Sequence, residues 1–296
     1  MKDIIHEFLN YIALERKYSD NTEINYEIDL FKYDDYLNKE KKNYLIINYQ
    51  DISKYIVYLR KANYLPSSIN RHLSTLRSFY KFLERKEIIN NTPFNYIKNI
   101  KQEKKLPNYF KYDEFITMLD TLNDNNPLNV RNRFILELLF ATGIRVSELV
   151  NIKINNIDMN LRQIKVNGKG NKERIVYFGS YCEGALKNYL NNSRDILLKN
   201  KISSYLFINN LGGNLTDRGI RLIIDNIIKS SALKTKITPH TFRHSFATIM
   251  LNEGCNIRSV QELLGHVSLN TTSIYTHLTN EELRRVYLKA HPRAKK

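Results

Sequence analysis

The chain has 296 residues, 42% of them hydrophobic and 26% charged, which is enough for two domains with separate cores and excludes a largely disordered chain. Lysine and arginine number 46 against 30 aspartate and glutamate residues, a formal net charge of +16. This charge exceeds what solubility requires and predicts a polyanion such as nucleic acid as the partner, with a generally basic cytosolic protein as the alternative.

The sequence also argues against a secreted, membrane-spanning or metal-stabilised protein. The apolar stretch Phe134–Ala141 is interrupted by Glu137 and is far too short to cross a bilayer, and the N-terminal residues lack the apolar core of a signal peptide. The two cysteines, Cys182 and Cys255, have no metal-ligand spacing and suggest no disulfide framework. We therefore expect a cytoplasmic protein with no metal site and no membrane partner.

The first hundred residues contain no glycine, and their apolar residues recur at spacings of three and four. This pattern is typical of short helices in a bundle. Asp20 followed by Glu23 resembles a capping box at a helix start. It predicts a helix whose Ile24, Ile28 and Phe31 share one apolar face.

A further helix is predicted from Ser67, where apolar residues form one continuous stripe. The stripe consists of Ile69, Leu73, Leu76, Tyr80 and Leu83. Arg71, His72 and Arg77 lie off the stripe, so we expect them to face outward. Contact with DNA grooves and phosphates is one interpretation of these three side chains, and a solvated helix face is the other.

The helical pattern stops between Asn91 and Pro107, a lysine-rich stretch with a proline near each end. Such a composition is typical of a linker. We place the linker at residues 99–107, between a helical domain at residues 1–98 and a second domain at residues 108–296.

The second domain is predicted to begin with helices, change to strands and return to helices. Leu128–Ala141 is predicted as a strongly apolar helix that ends at Gly143, with a short helix after it. Residues 163–166 and 173–178 favour strands around a glycine turn and predict a hairpin. Helices resume from about Ser180. The expected fold class is mainly α, with a small β-sheet in the second domain.

Side chains of the second domain include the types that phosphoryl transfer without a metal needs. They are Arg145, Lys169, His240, Arg243, His266 and Tyr275. Taken alone, each has an ordinary structural explanation, such as a surface ion pair, a lysine in a turn or a packed tyrosine. Taken together, they supply bidentate donors for the phosphate oxygens, imidazoles for proton transfer and a phenol as nucleophile.

The order of these residues resembles that of the tyrosine recombinases, a phage integrase-like family. Four stretches are most similar to the Xer-type recombinases that resolve chromosome dimers. They are ATGIRVSEL (141–149), GKGNKER (168–174), TPHTFRHSFAT (238–248) and QELLGHVSLNTTSIYTH (261–277). The tail LRRVYLKAHPRA (283–294) agrees, so the similarity covers residues 128–294. The first hundred residues resemble, less specifically, the helical SAM-like domain with which the family clamps DNA.

The resemblance implies that Tyr275 is the nucleophile, leaving a 3′-phosphotyrosyl bond and a free 5′-hydroxyl. It implies that Arg145 and Arg243 clamp the scissile phosphate and that His240 assists proton removal from Tyr275. One phosphodiester is exchanged for a bond of similar energy, so no ATP and no other cofactor is expected.

For the remaining side chains, the resemblance implies that His266 hydrogen-bonds a phosphate oxygen and that Lys169 protonates the leaving 5′-oxygen. Glu148, three residues after Arg145, is expected to orient that arginine rather than to react.

The C-terminal segment from Glu281 places apolar residues on one helical face, which packs on its own domain or on another subunit. They are Leu283, Val286, Tyr287 and Ala290. The resemblance implies docking into a neighbouring protomer, within a homo- or hetero-tetramer of recombinases on two double-stranded DNA sites. Xer-like systems often include a cell-division DNA translocase as a further partner, and no residue here identifies that contact.

The expected function is resolution of chromosome dimers by a cytoplasmic, nucleoid-associated recombinase. An integrase or resolvase of a mobile element is the alternative, because such enzymes share these residues. A DNA-binding protein without catalysis is the third interpretation, and the intact set of reactive residues argues against it.

Overall fold

The computed structural model describes residues 1–15, 20–101, 109–168, 173–233, 235, 237–265 and 279–294. The chain divides into two compact units, Met1–Lys105 and Leu106–Lys296. Both are mainly helical, and the second carries a three-stranded antiparallel sheet. The predicted fold class is therefore confirmed. None of the helices in the described ranges is both long and apolar enough to span a bilayer.

The described part of the first unit forms four α-helices and two 3₁₀ turns. The helices are α1 Lys2–Leu14, α2 Asp20–Lys39, α3 Tyr49–Lys61 and α4 Pro66–Arg85, and the turns are Tyr44–Ile46 and Pro93–Tyr96. Asn48 caps α3 through a reciprocal capping box with Asp51. Proline as the first residue of α4 suits a helix start, where its missing N–H is not needed.

The core of the first unit combines isoleucine and leucine with buried tyrosine and phenylalanine. The predicted stripe of α4 is buried along its whole length. The rings of Tyr33, Tyr55 and Tyr80 are buried with it, and the Tyr80 hydroxyl donates to the carbonyl of Tyr44 at 2.8 Å. Buried tyrosines of this kind keep the apolar area of the ring and still satisfy the hydroxyl.

The predicted apolar face of α2 is wrong for Ile24 and Ile28, which are 52% and 56% exposed. Phe31, the third residue of that face, is partly buried and packs against the core. The physical reason is that Leu30, Tyr33 and Leu37 occupy the core side of the helix, so the isoleucine spacing identifies the opposite face.

The first residues of the predicted linker are held by the first unit. Asn70 on α4 donates to the carbonyl of Ile100 at 3.0 Å, and its side-chain oxygen accepts from the Ile100 N–H at 2.8 Å. Residues 102–107 of the predicted linker lie outside the described ranges. The proposed boundary at 99–107 stays a prediction.

The second unit begins with helices, continues into the sheet and ends with helices. Its described helices are α5 Tyr112–Asp120, α6 Pro127–Thr142, α7 Val146–Val150, α8 Ser180–Asn192, α9 Arg194–Leu198, α10 Asp217–Ser230, α11 Pro239–Asn252, α12 Ile257–Leu264 and α13 Asn280–Ala290. A 3₁₀ turn, Ile154–Asn156, precedes the strands β1 Ile157–Asp158, β2 Gln163–Asn167 and β3 Glu173–Tyr177. The predicted hairpin corresponds to β2 and β3, and the short β1 was not predicted.

Helix α6 is the centre of the second unit. Its residues 134–141 are all buried, and it packs against α8 and α11. A helix that is apolar on all sides is stable only when neighbours surround it. Because α6 is central, the position of its C-terminal end is set by the packing of the whole unit.

Helix α13 packs on its own unit, which is the first of the two partners considered for its apolar face. Tyr287 and Ala290 are buried in a cluster that includes Phe246 and Leu263. The tail that follows is anchored by Arg293, whose Nε donates to Glu137 on α6 at 2.7 Å. The face is therefore covered within the single chain.

Candidate active site

The end of α6 places the first predicted arginine. Gly143 ends the helix in the left-handed conformation (φ 57°), with its N–H donating to the carbonyl of Leu139 at 3.0 Å. A Cβ at this position would lie 2.7 Å from Cδ2 of Leu264 and 3.0 Å from the ring of Phe246. Glycine alone suits both this backbone conformation and the close approach. The chain then turns so that Arg145 becomes the N-cap residue of α7.

Arg145 is held by Glu148 through its main chain and its side chain. The Arg145 N–H donates to Oε2 at 2.9 Å, and Nη1 donates to Oε1 at 2.7 Å. Burial opposes ionisation of Glu148, but hydrogen bonds and charge from Arg174 and Arg145 outweigh it and lower the pKa of the carboxyl. A carboxylate so placed can orient Arg145, as the sequence predicts.

Arg243, on α11, uses both terminal nitrogens on main-chain carbonyls. Nη1 donates to Gly143 at 2.8 Å, and Nη2 donates to Leu264 at 2.6 Å. Nη2 of Arg145 donates to the next carbonyl, that of Gly265, at 3.2 Å. The two arginines thus meet at the carbonyl end of α12, where the helix dipole favours positive charge.

A third arginine, Arg174 on β3, belongs to this cluster and was missed by the sequence reasoning. Its Nη1 donates to Oε1 of Glu148 at 2.5 Å, the same oxygen that Arg145 contacts. Strand alternation places Arg174 on the face of β3 that carries the buried Val176, and this inward position was the available signal. Burial, followed by the charges of Arg145 and Arg174, lowers the pKa of Arg243 to about 9.

A cavity of about 360 Å³ brings together three of the predicted site residues, Arg145, His240 and Arg243. His240 is exposed and is the second residue of α11. Pro239 starts the helix, and the Thr238 side chain accepts from the Thr241 N–H at 3.3 Å. The spacing of three residues puts His240 and Arg243 on one helix face, as predicted.

The opposite wall of this cavity comes from α10 and was not predicted. Asp217, Arg221 and Asp225 line it. Their spacing of four residues is ordinary on any solvated helix, so the sequence alone offers no reason to single them out.

Lys169, His266 and Tyr275 lie outside the described residues. Gly265, whose carbonyl accepts from Arg145, directly precedes His266 in the sequence. Within the described ranges, no group of three or more His, Cys, Asp or Glu side chains is arranged to hold a metal ion.

The prediction that His72 faces outward is wrong. Its side chain is 1% exposed, with Nδ1 3.2 Å from the Tyr55 hydroxyl and Nε2 3.1 Å from Oδ1 of Asp29. Burial, followed by the charges of Arg71 and Lys32, lowers the pKa of His72 to about 4, so the ring is neutral at pH 7. The buried face of α4 is wider than the apolar stripe, which leaves His72 no surface for a DNA contact.

Arg71 and Arg77 are partly exposed and also bind within their own unit. Nη1 of Arg71 donates to Oδ2 of Asp29 at 2.8 Å, and Nη2 of Arg77 donates to the carbonyl of Ile97 at 2.7 Å. Their contact with DNA stays a prediction.

Two family models together match most of the chain. Residues 108–282 match the phage integrase family, and residues 5–87 match the N-terminal SAM-like domain of phage integrases. The chain belongs to the phage integrase family.

Curated members of the phage integrase family are similar over the whole length. The chain is 43% identical to Tyrosine recombinase XerC of Staphylococcus haemolyticus (strain JCSC1435) over 297 residues, covering 100% of this chain and 99% of that protein. It is 43% identical to Tyrosine recombinase XerC of Staphylococcus aureus (strain JH9) over 298 residues, with the same coverage.

A solved structure of the XerH site-specific recombinase in a pre-cleavage complex with difH substrate has the same fold. It is 26% identical, with a TM-score of 0.67, covering 89% of this chain and 78% of that chain. The predicted family and activity are thus confirmed, and the chain is a site-specific tyrosine recombinase.

Proposed function

We propose that this recombinase cuts and rejoins double-stranded DNA through a covalent bond to Tyr275. The supporting observation is that Arg145 and Arg243 meet at one helix end, on the carbonyls of Gly265 and Leu264. His240 lines the same cavity. Each guanidinium keeps further N–H groups, so the pair can bind the two non-bridging oxygens of one phosphate.

In the proposed step, the Tyr275 oxygen forms a bond to phosphorus while the bond from phosphorus to the 5′-oxygen breaks. His240 takes the phenol proton, because a free tyrosine with a pKa of about 10 is a poor nucleophile at neutral pH. Lys169 gives a proton to the 5′-oxygen, and His266 donates to a phosphate oxygen. The 5′-hydroxyl of another strand then reverses the step, so the bond energy is conserved and no nucleotide is required.

The nucleophile is tested with nicked duplex DNA that traps the cleaved state. The duplex carries a site selected from random sequences by binding to the purified chain, and the readout is an SDS-resistant adduct between protein and DNA. Tyr275→Phe should bind the duplex and form no adduct. Tyr287→Phe is the matched control and should form it, because Tyr287 is 1% exposed and its burial raises the pKa of the phenol. An adduct with Tyr275→Phe would overturn the assignment.

For the biological role, we propose the resolution of chromosome dimers. Support comes from the 43% identity to Tyrosine recombinase XerC over the full chain. A strain without the gene should accumulate dimeric chromosomes, and the selected site should occur on the chromosome. If the selected site lies only at the ends of a mobile element, an integrase or resolvase role replaces this one.

Assembly into a tetramer on paired sites is proposed with it, either of identical chains or with a second recombinase. Docking of α13 on a neighbour would require release of Tyr287 and Ala290 from their own core. Sedimentation of the chain with and without paired sites measures the assembly. Addition of a cell-division translocase to the same samples tests that further partner.

The first unit is proposed as the DNA clamp, with residues 1–98 as the clamp, 99–107 as the linker and 108–296 as the catalytic domain. Arg71→Gln and Arg77→Gln should each weaken DNA binding and reduce its salt dependence, because phosphate contacts release counterions. A nucleoid location in the cytoplasm follows from this binding. Fluorescent fusions of the chain and of both variants test it.

A further inference from the structure

One donor edge of the Arg174 guanidinium has no hydrogen-bond partner among the residues that the structure describes. Its Nε and Nη2 are buried and form no hydrogen bond among the described residues, while Nη1 is bound to Glu148. Buried N–H groups of a charged side chain are rarely left unpaired, because the lost hydration is not recovered. This edge is therefore able to bind an acceptor that the described residues do not supply.

The charge of the cluster indicates the nature of that acceptor. Arg145, Arg174 and Arg243 converge, and among the described residues only Glu148 lies within ion-pair distance of any of them. One carboxylate in ion-pair contact does not balance three guanidinium groups. When Asp217, Arg221 and Asp225 on the cavity wall are included, arginines still outnumber carboxylates, so the site favours an anion. Burial is the main cause of the low pKa of Arg243, and the positive charges of Arg145 and Arg174 add to it.

The position of Arg174 places the free edge beside the other two arginines. A Cβ on Gly265 would lie 2.7 Å from Cδ and 3.0 Å from Nε of Arg174. The carbonyl of Gly265 accepts from Arg145 at 3.2 Å, and the preceding carbonyl accepts from Arg243. All three guanidinium groups therefore lie at the same end of α12.

We propose that Arg174 is a third arginine ligand of the scissile phosphate, donating from Nε and Nη2 to its non-bridging oxygens while Nη1 remains on Glu148. The side-on edge of a guanidinium has the spacing of two phosphate oxygens. The arginines outnumber the carboxylates around this cavity, so the cluster is positively charged. A phosphodiester is a monoanion, and its pentacoordinate transition state is a dianion. The arginine cluster therefore binds the transition state more strongly than the bound substrate. This inference rests on the proposed function.

The test compares Arg174→Gln and Arg174→Lys with the full chain on two nicked duplexes. One carries a normal phosphodiester at the cleavage position. The other carries a methylphosphonate there, in which a methyl group replaces one non-bridging oxygen and removes the charge. The rate of adduct formation is measured for each diastereomer. Arg162→Gln is the control, because Arg162 is only partly buried and pairs with Glu183 on α8.

Arg174→Gln should lose about 100-fold in rate on the phosphodiester, the usual effect of removing one preorganised donor. On one methylphosphonate diastereomer its loss should be less than about 5-fold relative to the full chain. The rate of Arg174→Lys on the phosphodiester should lie between those of the full chain and of Arg174→Gln, since lysine keeps the charge and lacks the bidentate edge. The ratio between substrates is measured within each protein, so a reduced folded fraction cancels.

Equal losses on the two substrates would show that Arg174 acts on the fold or on Arg145, and would overturn the proposal. Unchanged rates on both would do the same. If the full chain itself forms no adduct with the phosphodiester, the proposed reaction at Tyr275 is wrong. The proposed role of Arg174 in that reaction is then wrong as well.

Discussion

Arg243 donates a hydrogen bond of 2.6 Å to the carbonyl of Leu264, which joins α11 to the last residue of α12. Its other terminal nitrogen reaches the carbonyl of Gly143 at the end of α6. One side chain therefore joins the consecutive helices α11 and α12 to α6, which lies 100 residues earlier in the sequence. Loss of its forked shape should disturb both phosphate binding and the packing of these helix ends.

Arg243→Lys should lower the rate of adduct formation by about 100-fold. Lysine keeps the positive charge, but a single ammonium cannot reach both carbonyls and also present a flat pair of donors. The rate is measured on the nicked duplex used for Tyr275, and Arg162→Lys serves as the control of equal charge. A rate within about 3-fold of that of the full chain would contradict the proposed binding of the scissile phosphate by Arg243.

Gly179→Ala should destabilise the second unit by about 1–3 kcal/mol. A Cβ at this position would lie 2.1 Å from the carbonyl oxygen of Arg293 and 2.4 Å from Cα of Ala294, so the C-terminal tail must move. Urea unfolding measures the change.

Gly184→Ala is the matched control on the neighbouring helix. Gly184 lies within α8, and a Cβ there meets nothing within 4 Å. Alanine should therefore stabilise the unit by about 0.5–1 kcal/mol through its better helix propensity. Similar effects of the two substitutions would show that the tail does not pack tightly on Gly179.

Helix α6 and strands β2 and β3 of the second unit could be predicted because each has a local signal. Gly143 ends α6, and alternation marks β2 and β3. The apolar face of α2 could not, because the competition between Ile24 and Tyr33 for the core is decided by tertiary packing. The same limit applies to His72, whose burial depends on an acidic side chain of another helix.

Glu137 and Arg293 form a buried bidentate ion pair between α6 and the C-terminal tail. Glu137→Gln and Arg293→Gln should each cost about 3–5 kcal/mol of unfolding free energy, since either leaves a buried charge without its partner. The double variant should lose much less than the sum of the two. Additive losses in a double-mutant cycle would mean that the pair contributes no coupling energy.

The stability of the second unit should fall as the pH drops from 7 to 5 because of His291. Burial, opposed by a hydrogen bond to Phe140 and assisted by the charge of Arg293, lowers the pKa of His291 to about 3. Its pKa is about 6.5 when unfolded. Between these two pKa values only the unfolded chain binds the proton. The contribution of His291 to stability is therefore fully present above the higher pKa and is lost as the pH falls towards the lower one.

The expected loss from this one group is about 2 kcal/mol between pH 7 and pH 5. Urea unfolding at the two pH values measures it, and His291→Gln should show a correspondingly shallower pH dependence. Identical slopes for the two proteins would mean that His291 is not held neutral in the fold.

For the site, residue types and motif order identified Arg145, His240 and Arg243, which the structure brings to one cavity. Arg174 and the α10 wall were not identified, because their role depends on where β3 and α10 pack. The one sequence signal for Arg174 was a charged residue that alternates with Val176 in a strand. Only the structure shows that this valine is buried, and hence that Arg174 points inward.

The carbonyl end of α12 gives the arginines an acceptor within the protein, in addition to the phosphate proposed for them. In the proposed function, each arginine binds both a main-chain carbonyl and the phosphate. The free energies of these two interactions are linked, and the linkage is reciprocal. In the proposed reaction, a duplex that fixes Arg145 and Arg243 would therefore also fix the carbonyls of Gly265 and Leu264 that these arginines bind. A displaced phosphate would then weaken the hold of both arginines on this helix end as well as the affinity for DNA.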